Sequence, residues 1–374
     1  MRLDFATFCQ RLLDHPDGYQ IGVPLTVGVE EEFLLVDADG RLSGRGPEVV
    51  DEATDPQGVL ETELALCQVE SATGICETPE GVLTQLTTLR AELTGVARKQ
   101  GLRLLPSGTP VLPEDERPEI TPQPRYLRMA RHFGATVRAG ATCGCHVHVG
   151  MSDRELGVEV INQVRPWLPA LLAVTANSPF DGLDTGYASY RYQNWSRWPS
   201  AGPPPRFASL DEYESIVDDL LRSGAILDKA MVYWDVRLSD HQPTLEFRVS
   251  DVAATAGDAA LLATLVRGLV AHVMSYGGPV PDMSHAVLRA NLWRASRDGL
   301  GGESLHPVTG AVAPLVDQLD DLLAMITPSL GDDVEFAAAG LAKLREQGGG
   351  ADRQRAVFAR RHKLTDVVDE LALR

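Results

Sequence analysis

The segment Val27-Gly-Val-Glu-Glu-Glu-Phe-Leu-Leu-Val36 is a run of β-forming residues interrupted by three consecutive glutamates. Side chains on a strand alternate between its two faces, so Glu30 and Glu32 share one face and Glu31 takes the other. The Cα atoms of Glu30 and Glu32 would then lie about 6–7 Å apart, a spacing that lets two carboxylates flank one divalent cation. An exposed edge strand with solvated glutamates is the alternative interpretation of this segment.

Strand-like and helix-like patterns follow each other in an order typical of an α+β protein. Predicted strands lie at 25–37, 102–106, 141–151, 232–238 and 244–249. Recurring apolar residues predict helices at 79–100, 152–177, 209–223, 256–276, 284–297, 312–326, 332–345 and 351–371. We therefore predict a mostly antiparallel sheet with helices packed behind it. The sequence has neither a P-loop nor a dinucleotide-binding fingerprint.

The composition excludes several classes of partner. Of the 374 residues, 44% are hydrophobic and 23% are charged, which is an ordinary globular balance. The 52 acidic residues outnumber the 34 basic ones, and the formal net charge is −18. Because an acidic surface repels phosphate backbones and anionic lipids, we expect no nucleic-acid partner and no membrane partner.

The terminal segment and the cysteines favour a cytoplasmic location. Residues 1–20 predict a short amphipathic helix rather than a signal peptide. The apolar stretch 261–274 contains Arg267 and His272, and we expect it to be too short to span a bilayer. The cysteines are odd in number and scattered, which favours reduced thiols over a disulfide framework; they are Cys9, Cys67, Cys76, Cys143 and Cys145.

Two further segments carry candidate metal ligands. Glu63 and Glu70 are seven residues apart, so their relative placement depends on a break in the chain, and alone they are typical of a surface. The run Cys143-Gly-Cys-His-Val-His-Val-Gly150 places His146 and His148 on one strand face. Neutral imidazole is a good metal ligand, although a buried histidine is often only a core residue, so both interpretations stay open.

A charged pair occurs in the run Pro243-Thr-Leu-Glu-Phe-Arg-Val-Ser-Asp251. Glu246 and Arg248 project from the same face of this predicted strand. They are either a surface ion pair of little energetic weight or a metal ligand beside a guanidinium that binds phosphate.

The segment 177–191 is punctuated by Gly and Pro and predicts a loop with defined turns. It ends in Arg191, a candidate for binding a substrate carboxylate. Trp195 and Trp198 are expected to pack rather than contact a ligand. Basic residues of the last helix predict a solvated face, with a weaker hypothesis that Gln354 or Arg355 reaches toward a nucleotide.

Electrostatic repulsion favours a metal site if these acids converge. Two carboxylates about 4 Å apart repel each other by roughly 4 kcal/mol at an effective dielectric constant of 20. A cluster of five would require cations or proton uptake. Carboxylates together with one histidine match magnesium or manganese better than structural zinc.

Five motifs, taken in order, resemble the type-2 glutamate–cysteine ligase family of carboxylate–amine ligases. They are Gly-Val-Glu-Glu-Glu-Phe33, Gln68-Val-Glu70, His146-Val-His-Val-Gly150, Asp184-Thr-Gly-Tyr-Ala-Ser-Tyr-Arg191 and Leu245-Glu-Phe-Arg248. The resemblance implies a glutamine-synthetase-like fold, with residues 1–374 forming a single catalytic domain. In that fold the antiparallel sheet forms a funnel, which ATP and substrate enter from opposite ends.

The resemblance also implies a role for each site residue. It implies metal binding by Glu30, Glu32, Glu63, Glu70, His146 and Glu246. His146 is preferred over His148 as the ligand, and His148 is placed beside the bound cofactor. Arg248 would contact the nucleotide and stabilise the transferring phosphoryl group, and Arg191 would hold the substrate carboxylate.

The implied activity is an ATP- and Mg²⁺- or Mn²⁺-dependent joining of a carboxylate to an amine through an acyl phosphate. The expected product is a γ-glutamyl amide of cysteine or another amine, so the partners are small molecules. The alternatives are a metal-dependent amidohydrolase, suggested by His146-Val-His148, and a non-catalytic ATP- or metabolite-binding relative. A homodimer is the default expectation for the assembly.

Overall fold

The computed structural model describes residues 25–54, 58–114, 118–137, 141–277 and 283–374. The predicted helix over 1–20 and Cys9 lie outside the described residues. The main sheet has seven strands. They are β1 (Val27–Val36), β2 (Gly58–Thr62), β3 (Gln68–Thr73), β4 (Arg103–Leu105), β5 (Gly144–Gly150), β6 (Val236–Leu238) and β7 (Thr244–Asp251).

The strand order places β1 in the middle of the sheet. It runs β2-β3-β1-β5-β7-β6, and β4 pairs with the end of β1. Each of these pairings is antiparallel in the described part of the chain, as predicted. The register sets Glu32 opposite Glu70, Glu30 opposite His146, and His148 opposite Glu246. Residues from distant motifs therefore become direct neighbours on one face.

Helices make up much of the rest of the described chain, and several of them pack against the sheet. Their bounds are Gly46–Glu52, Pro79–Lys99, Pro124–Phe133, Arg154–Val164, Leu168–Thr175, Tyr190–Trp195, Leu210–Ser223, Ala256–Tyr276, His285–Asp298, Leu315–Leu330, Val334–Gln347, Gly350–Arg361 and Leu364–Leu371. A small hairpin of β8 (Glu303–Leu305) and β9 (Val312–Pro314) follows the ninth of these helices.

The Pro79–Lys99 helix illustrates how sequence sets this packing. The Thr78 side chain accepts a hydrogen bond from the Gly81 amide and caps the helix, and Pro79 occupies its first turn. Apolar residues at helical spacing, such as Leu86 and Leu93, are fully buried. This face packs against β1, β3 and the Ala256–Tyr276 helix.

The Ala256–Tyr276 helix has the bounds that its apolar periodicity predicted, and it contains the apolar stretch 261–274. Its 21 residues are enough to cross a membrane by length and composition alone. However, 78% of its most apolar window is buried inside the protein. Arg267 on this helix pairs with Asp333 and donates to the Glu77 carbonyl. The helix is therefore a central element of the core.

Two predicted helices are broken in the structure. The prediction of one helix over 152–177 is wrong, because a 3-10 turn at Arg165–Trp167 with a proline in its first turn interrupts it. The prediction of one helix over 351–371 is also wrong. His362 adopts a left-handed conformation with φ 54°, which ends the first of two helices.

Candidate functional site

One face of the main sheet lines a cavity of about 1180 Å³. Predicted site residues from four strands and the β2–β3 connection converge on its wall. They are Glu30, Glu32, Glu63, Glu70, His146, His148, Glu246 and Arg248. The even-numbered positions of β1, β5 and β7 share this face because side chains alternate along each strand. Arg191 is the one predicted site residue that is not on the cavity wall.

The acidic residues form two groups of metal-ligand type. In each group, three donor atoms lie within 4.8 Å of one another. The first group is Glu30, His148 and Glu246, and the second is Glu32, Glu63 and Glu70. Three protein ligands leave the remaining positions of a hard cation for water and phosphate oxygens, as magnesium sites require. These donor sets fit magnesium or manganese.

The two histidines are placed differently from the prediction, which preferred His146 over His148 as the metal ligand. His148, not His146, lies with Glu30 and Glu246. His146 stands between the two groups, with Nδ1 3.1 Å from Glu30 Oε2 and Nε2 3.9 Å from Glu32 Oε1. His146 is 3% exposed, and its Nε2 has no hydrogen-bond partner among the residues that the structure describes. A buried nitrogen without a partner is typical of a ligand-binding atom.

Burial and mutual repulsion act together in the second group. Burial, followed by repulsion from Glu32, raises the pKa of Glu63 to about 7. Burial and the charges of Glu63, Glu30 and Glu32 raise the pKa of Glu70 well above its ordinary value. Without a cation both carboxyls are shifted toward the protonated form, so this group fits a cation site.

The first group is stabilised in its charged form. Burial would raise the pKa of Glu30, but hydrogen bonds with His146 and His148 lower it well below its ordinary value. Burial likewise opposes ionisation of Glu246, but the charges of Arg248 and Arg237 outweigh burial and lower its pKa below the ordinary value. Burial and the charge of Arg248 lower the pKa of His146, which favours the neutral imidazole.

Residues 26–370 match the family model described as glutamate–cysteine ligase family 2. The chain belongs to this family. A protein of Rhodococcus jostii named after glutamate–cysteine ligase 2 is 51% identical over 361 residues, covering 95% of this chain and 98% of the relative. One of Saccharopolyspora erythraea, named likewise, is 47% identical over 351 residues, covering 93% and 94%.

Solved structures share the fold at low sequence identity. The glutamate–cysteine ligase of Francisella tularensis in complex with AMP superposes with a TM-score of 0.67 at 13% identity, over 94% of this chain and 88% of that one. A bifunctional glutathione synthetase of Pasteurella multocida gives 0.65 at 16% identity, over 94% of this chain and 52% of that longer protein. The predicted α+β, glutamine-synthetase-like fold is confirmed.

Family membership confirms the predicted enzyme class, an ATP-dependent ligase. It sets aside the amidohydrolase and the non-catalytic alternatives.

In this glutamate–cysteine ligase family member, Arg237 is a site residue that the sequence interpretation missed. Its guanidinium binds Glu246 through two hydrogen bonds of 2.8 and 3.1 Å. Pairing the predicted strands 232–238 and 244–249 through their short connection would have placed Arg237 opposite Glu246.

Arg191 lies beside the cavity wall, next to Gly144 of β5. Its side chain is 2% exposed, and its Nη2 donates a long 3.5 Å hydrogen bond to the Arg248 carbonyl. A Cβ on Gly144 would be 2.3 Å from Arg191 Nη2 and 3.1 Å from His146 Nε2. Only glycine therefore leaves room for this guanidinium beside the histidine.

Aromatic residues form the wall next to Arg191. Trp195 and Trp198 line the cavity and also pack against other aromatic rings, so the expectation that they pack rather than contact a ligand stays a prediction. The Trp195 ring lies 4.8 Å from the Tyr233 ring and 5.7 Å from the Arg191 guanidinium carbon. Trp195 follows Arg191 by about one helical turn, so the two side chains share a face of a helix. This spacing is the signal that could have placed Trp195 at the site.

The Gly350–Arg361 helix holds the loop that leads into the helix carrying Arg191. Gln354 Nε2 donates to the Asn177 carbonyl and to Asn177 Oδ1, at 3.0 and 2.7 Å. Arg355 donates to Asp184 and to the Tyr187 carbonyl. Neither Gln354 nor Arg355 lines the cavity, so the hypothesis that they reach a nucleotide there finds no support.

Proposed function

We propose that this ligase joins the γ-carboxylate of glutamate to an amine, cysteine or another, with ATP and Mg²⁺ or Mn²⁺, through an acyl phosphate. The observation that carries the proposal is the pair of three-donor groups on one sheet face, with Arg248 beside them. Bound cations would neutralise negative charge on the ATP phosphates during transfer. The AMP complex of the Francisella tularensis ligase supports nucleotide binding in this fold.

Protein side chains would position the reactants rather than react with them. Glu30, His148 and Glu246 would hold one cation, and Glu32, Glu63 and Glu70 another, with His146 between them. His148 is kept in place by Thr244, whose hydroxyl lies 2.9 Å from its Nδ1. A second group that fixes the orientation of an imidazole is typical of metal-binding histidines.

The arginines would bind anions. Burial opposes the charge of Arg248, but Glu246 raises the pKa of its guanidinium, so it stays cationic. It would stabilise the phosphoryl group in transfer, as a guanidinium does in other phosphoryl-transfer sites. Arg191 would hold a carboxylate of the substrate through its free guanidinium edge.

Cysteine chemistry does not compete with this mechanism in the described part of the chain. Cys67, Cys76, Cys143 and Cys145 are buried free thiols. Burial raises the pKa of the Cys67 thiol to about 12, and it raises the pKa of Cys143 and Cys145 well above the ordinary value. Neutral thiols are poor nucleophiles, so attack of the amine on an acyl phosphate needs no enzyme thiol.

The setting of the reaction follows from the same features. We propose small-molecule substrates, a single catalytic domain over residues 1–374, and a cytoplasmic location, in which buried thiols stay reduced. No nucleic acid and no membrane take part in this proposal. A homodimer stays a prediction, to be measured by sedimentation.

The test is a panel of amines incubated with glutamate, ATP and Mg²⁺, read by phosphate release and by product mass. We expect phosphate release that requires both glutamate and one amine, and a product with the mass of a γ-glutamyl amide. Glu246→Gln should abolish release, whereas Glu335→Gln, on an exposed helix face, should retain it. Phosphate release without glutamate, or full release by Glu246→Gln, would contradict the proposal.

A further inference from the structure

Four buried donor atoms, on two residues of the cavity wall and on Arg191 beside it, have no hydrogen-bond partner among the described residues. They are Nε and Nη1 of Arg191, Nε of Arg248, and Nε1 of Trp195. A buried donor left without an acceptor weakens the fold, and native proteins contain few of them. Several such donors in one place indicate that an acceptor from outside the chain binds between them.

The donors belong to one continuous layer of side chains. The Arg191 guanidinium stacks over the Trp195 ring, which contacts the Tyr233 ring. The Arg248 guanidinium also lies over the Tyr233 ring, with its central carbon 5.8 Å from the ring centroid. The Trp195 and Tyr233 rings are tilted by 51° to each other, and contacts of a guanidinium with a ring face leave its N–H groups free to donate.

The acids that face Arg191 are already bound by other groups. Asp251 accepts hydrogen bonds from the Asn177 amide and from the Ser178 and Ser189 hydroxyls, at 2.8, 2.7 and 2.7 Å. Asp235 accepts one from the Tyr192 hydroxyl at 3.0 Å. Burial raises the pKa of both carboxyls, that of Asp235 to about 7, while the charge of Arg191 acts to lower both. Neither carboxyl occupies the Nε or Nη1 edge of Arg191, so this edge stays open.

Gly144 connects this layer to the metal-ligand groups. Its missing side chain makes the space for the Arg191 guanidinium beside His146. Its backbone N–H donates to Glu32 Oε2 at 2.7 Å, which fixes a residue of the second ligand group. An anion held by Arg191 and Trp195 would thus lie next to the reacting centre.

From this geometry we infer that Trp195 Nε1 and the free edge of Arg191 form an oxyanion subsite for a carboxylate of the amino-acid substrate. This makes Trp195 a specificity-determining residue, because its N–H and not only its ring is used. The inference rests on the proposed function and adds a residue to it. The same chemistry could bind the phosphate that the reaction releases, so the test separates the two oxyanions.

The test compares Trp195→Phe with the wild-type ligase. Phenylalanine keeps an aromatic ring over Arg191 but has no N–H, so the KM for glutamate should rise about tenfold or more, with kcat and the KM for ATP within about threefold. Wild-type enzyme should discriminate against the α-amide of glutamate, and Trp195→Phe should discriminate less. Trp293→Phe, at an exposed tryptophan, is the matched control and should behave as wild type.

The outcomes separate the inference from the proposed function. A higher inhibition constant for inorganic phosphate in Trp195→Phe, with an unchanged KM for glutamate, would assign the subsite to phosphate and overturn the carboxylate assignment. Unchanged values for both oxyanions would overturn the subsite while leaving the ligase activity intact. Calorimetric titration of wild type and Trp195→Phe with glutamate gives the binding readout. Wild-type enzyme that neither binds glutamate nor turns it over would contradict the proposed function itself.

Discussion

The two faces of β1 bury glutamates in opposite ways. Glu31 points to the back of the sheet, is fully buried, and is bound by Arg90 through hydrogen bonds of 2.8 and 2.5 Å. Glu30 and Glu32, one position to either side, face the cavity among other acids. The back face neutralises its charge with a cation of the chain, whereas the front face collects acids around space for a cation from outside. Adjacent identical residues therefore serve stability on one face and chemistry on the other.

The largest expected effect comes from breaking the internal pair. Replacing Arg90 by Met or Glu31 by Gln leaves a buried group without its partner, which should lower the free energy of unfolding by about 3–5 kcal/mol. Urea denaturation with matched metal-free samples measures this. The double variant Glu31→Met with Arg90→Met should recover a large part of the loss, because no unpaired charge remains. A double variant as unstable as the sum of the single ones would contradict this account.

The opposite result is expected on the cavity face. Glu70→Gln should reduce phosphate release by about 100-fold or more, because a metal ligand is lost. At pH 8 without metal the same variant should be more stable than wild type, because the pKa of Glu70 is raised by burial and by its acidic neighbours. Thermal unfolding and turnover of one preparation test both. A variant that is both inactive and less stable without metal would show that Glu70 serves the fold.

The pH dependence of the free energy of unfolding should show that the acids of the cavity face lack a cation from the chain. The pKa of Glu63 is about 7 in the folded protein, above its ordinary value, so the native state binds more protons than the unfolded chain between about pH 4.5 and 7. Raising the pH through this window should lower the metal-free free energy of unfolding by about 2 kcal/mol. Saturating Mg²⁺ should flatten the profile, and so should Glu63→Gln. A flat metal-free profile in wild type would contradict the prediction.

The smallest expected effect concerns the orientation of one imidazole. Thr244→Val removes the hydroxyl next to His148 Nδ1 but keeps the shape of the side chain. We expect Mn²⁺ affinity to fall by about tenfold, the low end for losing a group that orients a ligand. Titration of Mn²⁺ by electron paramagnetic resonance measures it. Unchanged affinity would show that Glu30 alone fixes the ring.

The sequence predicted the composition of the cavity face better than its pairings. Strand alternation was enough to place Glu30 with Glu32 and His146 with His148. It could not decide between the histidines, because the β5–β7 register shifts between Cys145 and Val147 and brings His148 opposite Glu246. Glu63 lies between β2 and β3, where no periodicity sets the direction of a side chain.

Features that depend on tertiary packing lay beyond sequence patterns. The orientation of Arg191 depends on the absence of a side chain at Gly144, which belongs to a different element. The breaks in two long helices were also missed. The first has a local signal in the prolines near Trp167, but the left-handed conformation at His362 falls on a residue type that does not predict it.

The contact between Gln354 and Asn177 joins residues 177 positions apart in the chain. During synthesis the acids of β1 and β3 and the histidines of β5 leave the ribosome long before the Gly350–Arg361 helix exists. The loop that leads into the helix carrying Arg191 can be fastened only after the Gly350–Arg361 helix has been made. Substrate capture should therefore be the last property that a growing polypeptide acquires, so that unfinished chains could trap metal without consuming ATP.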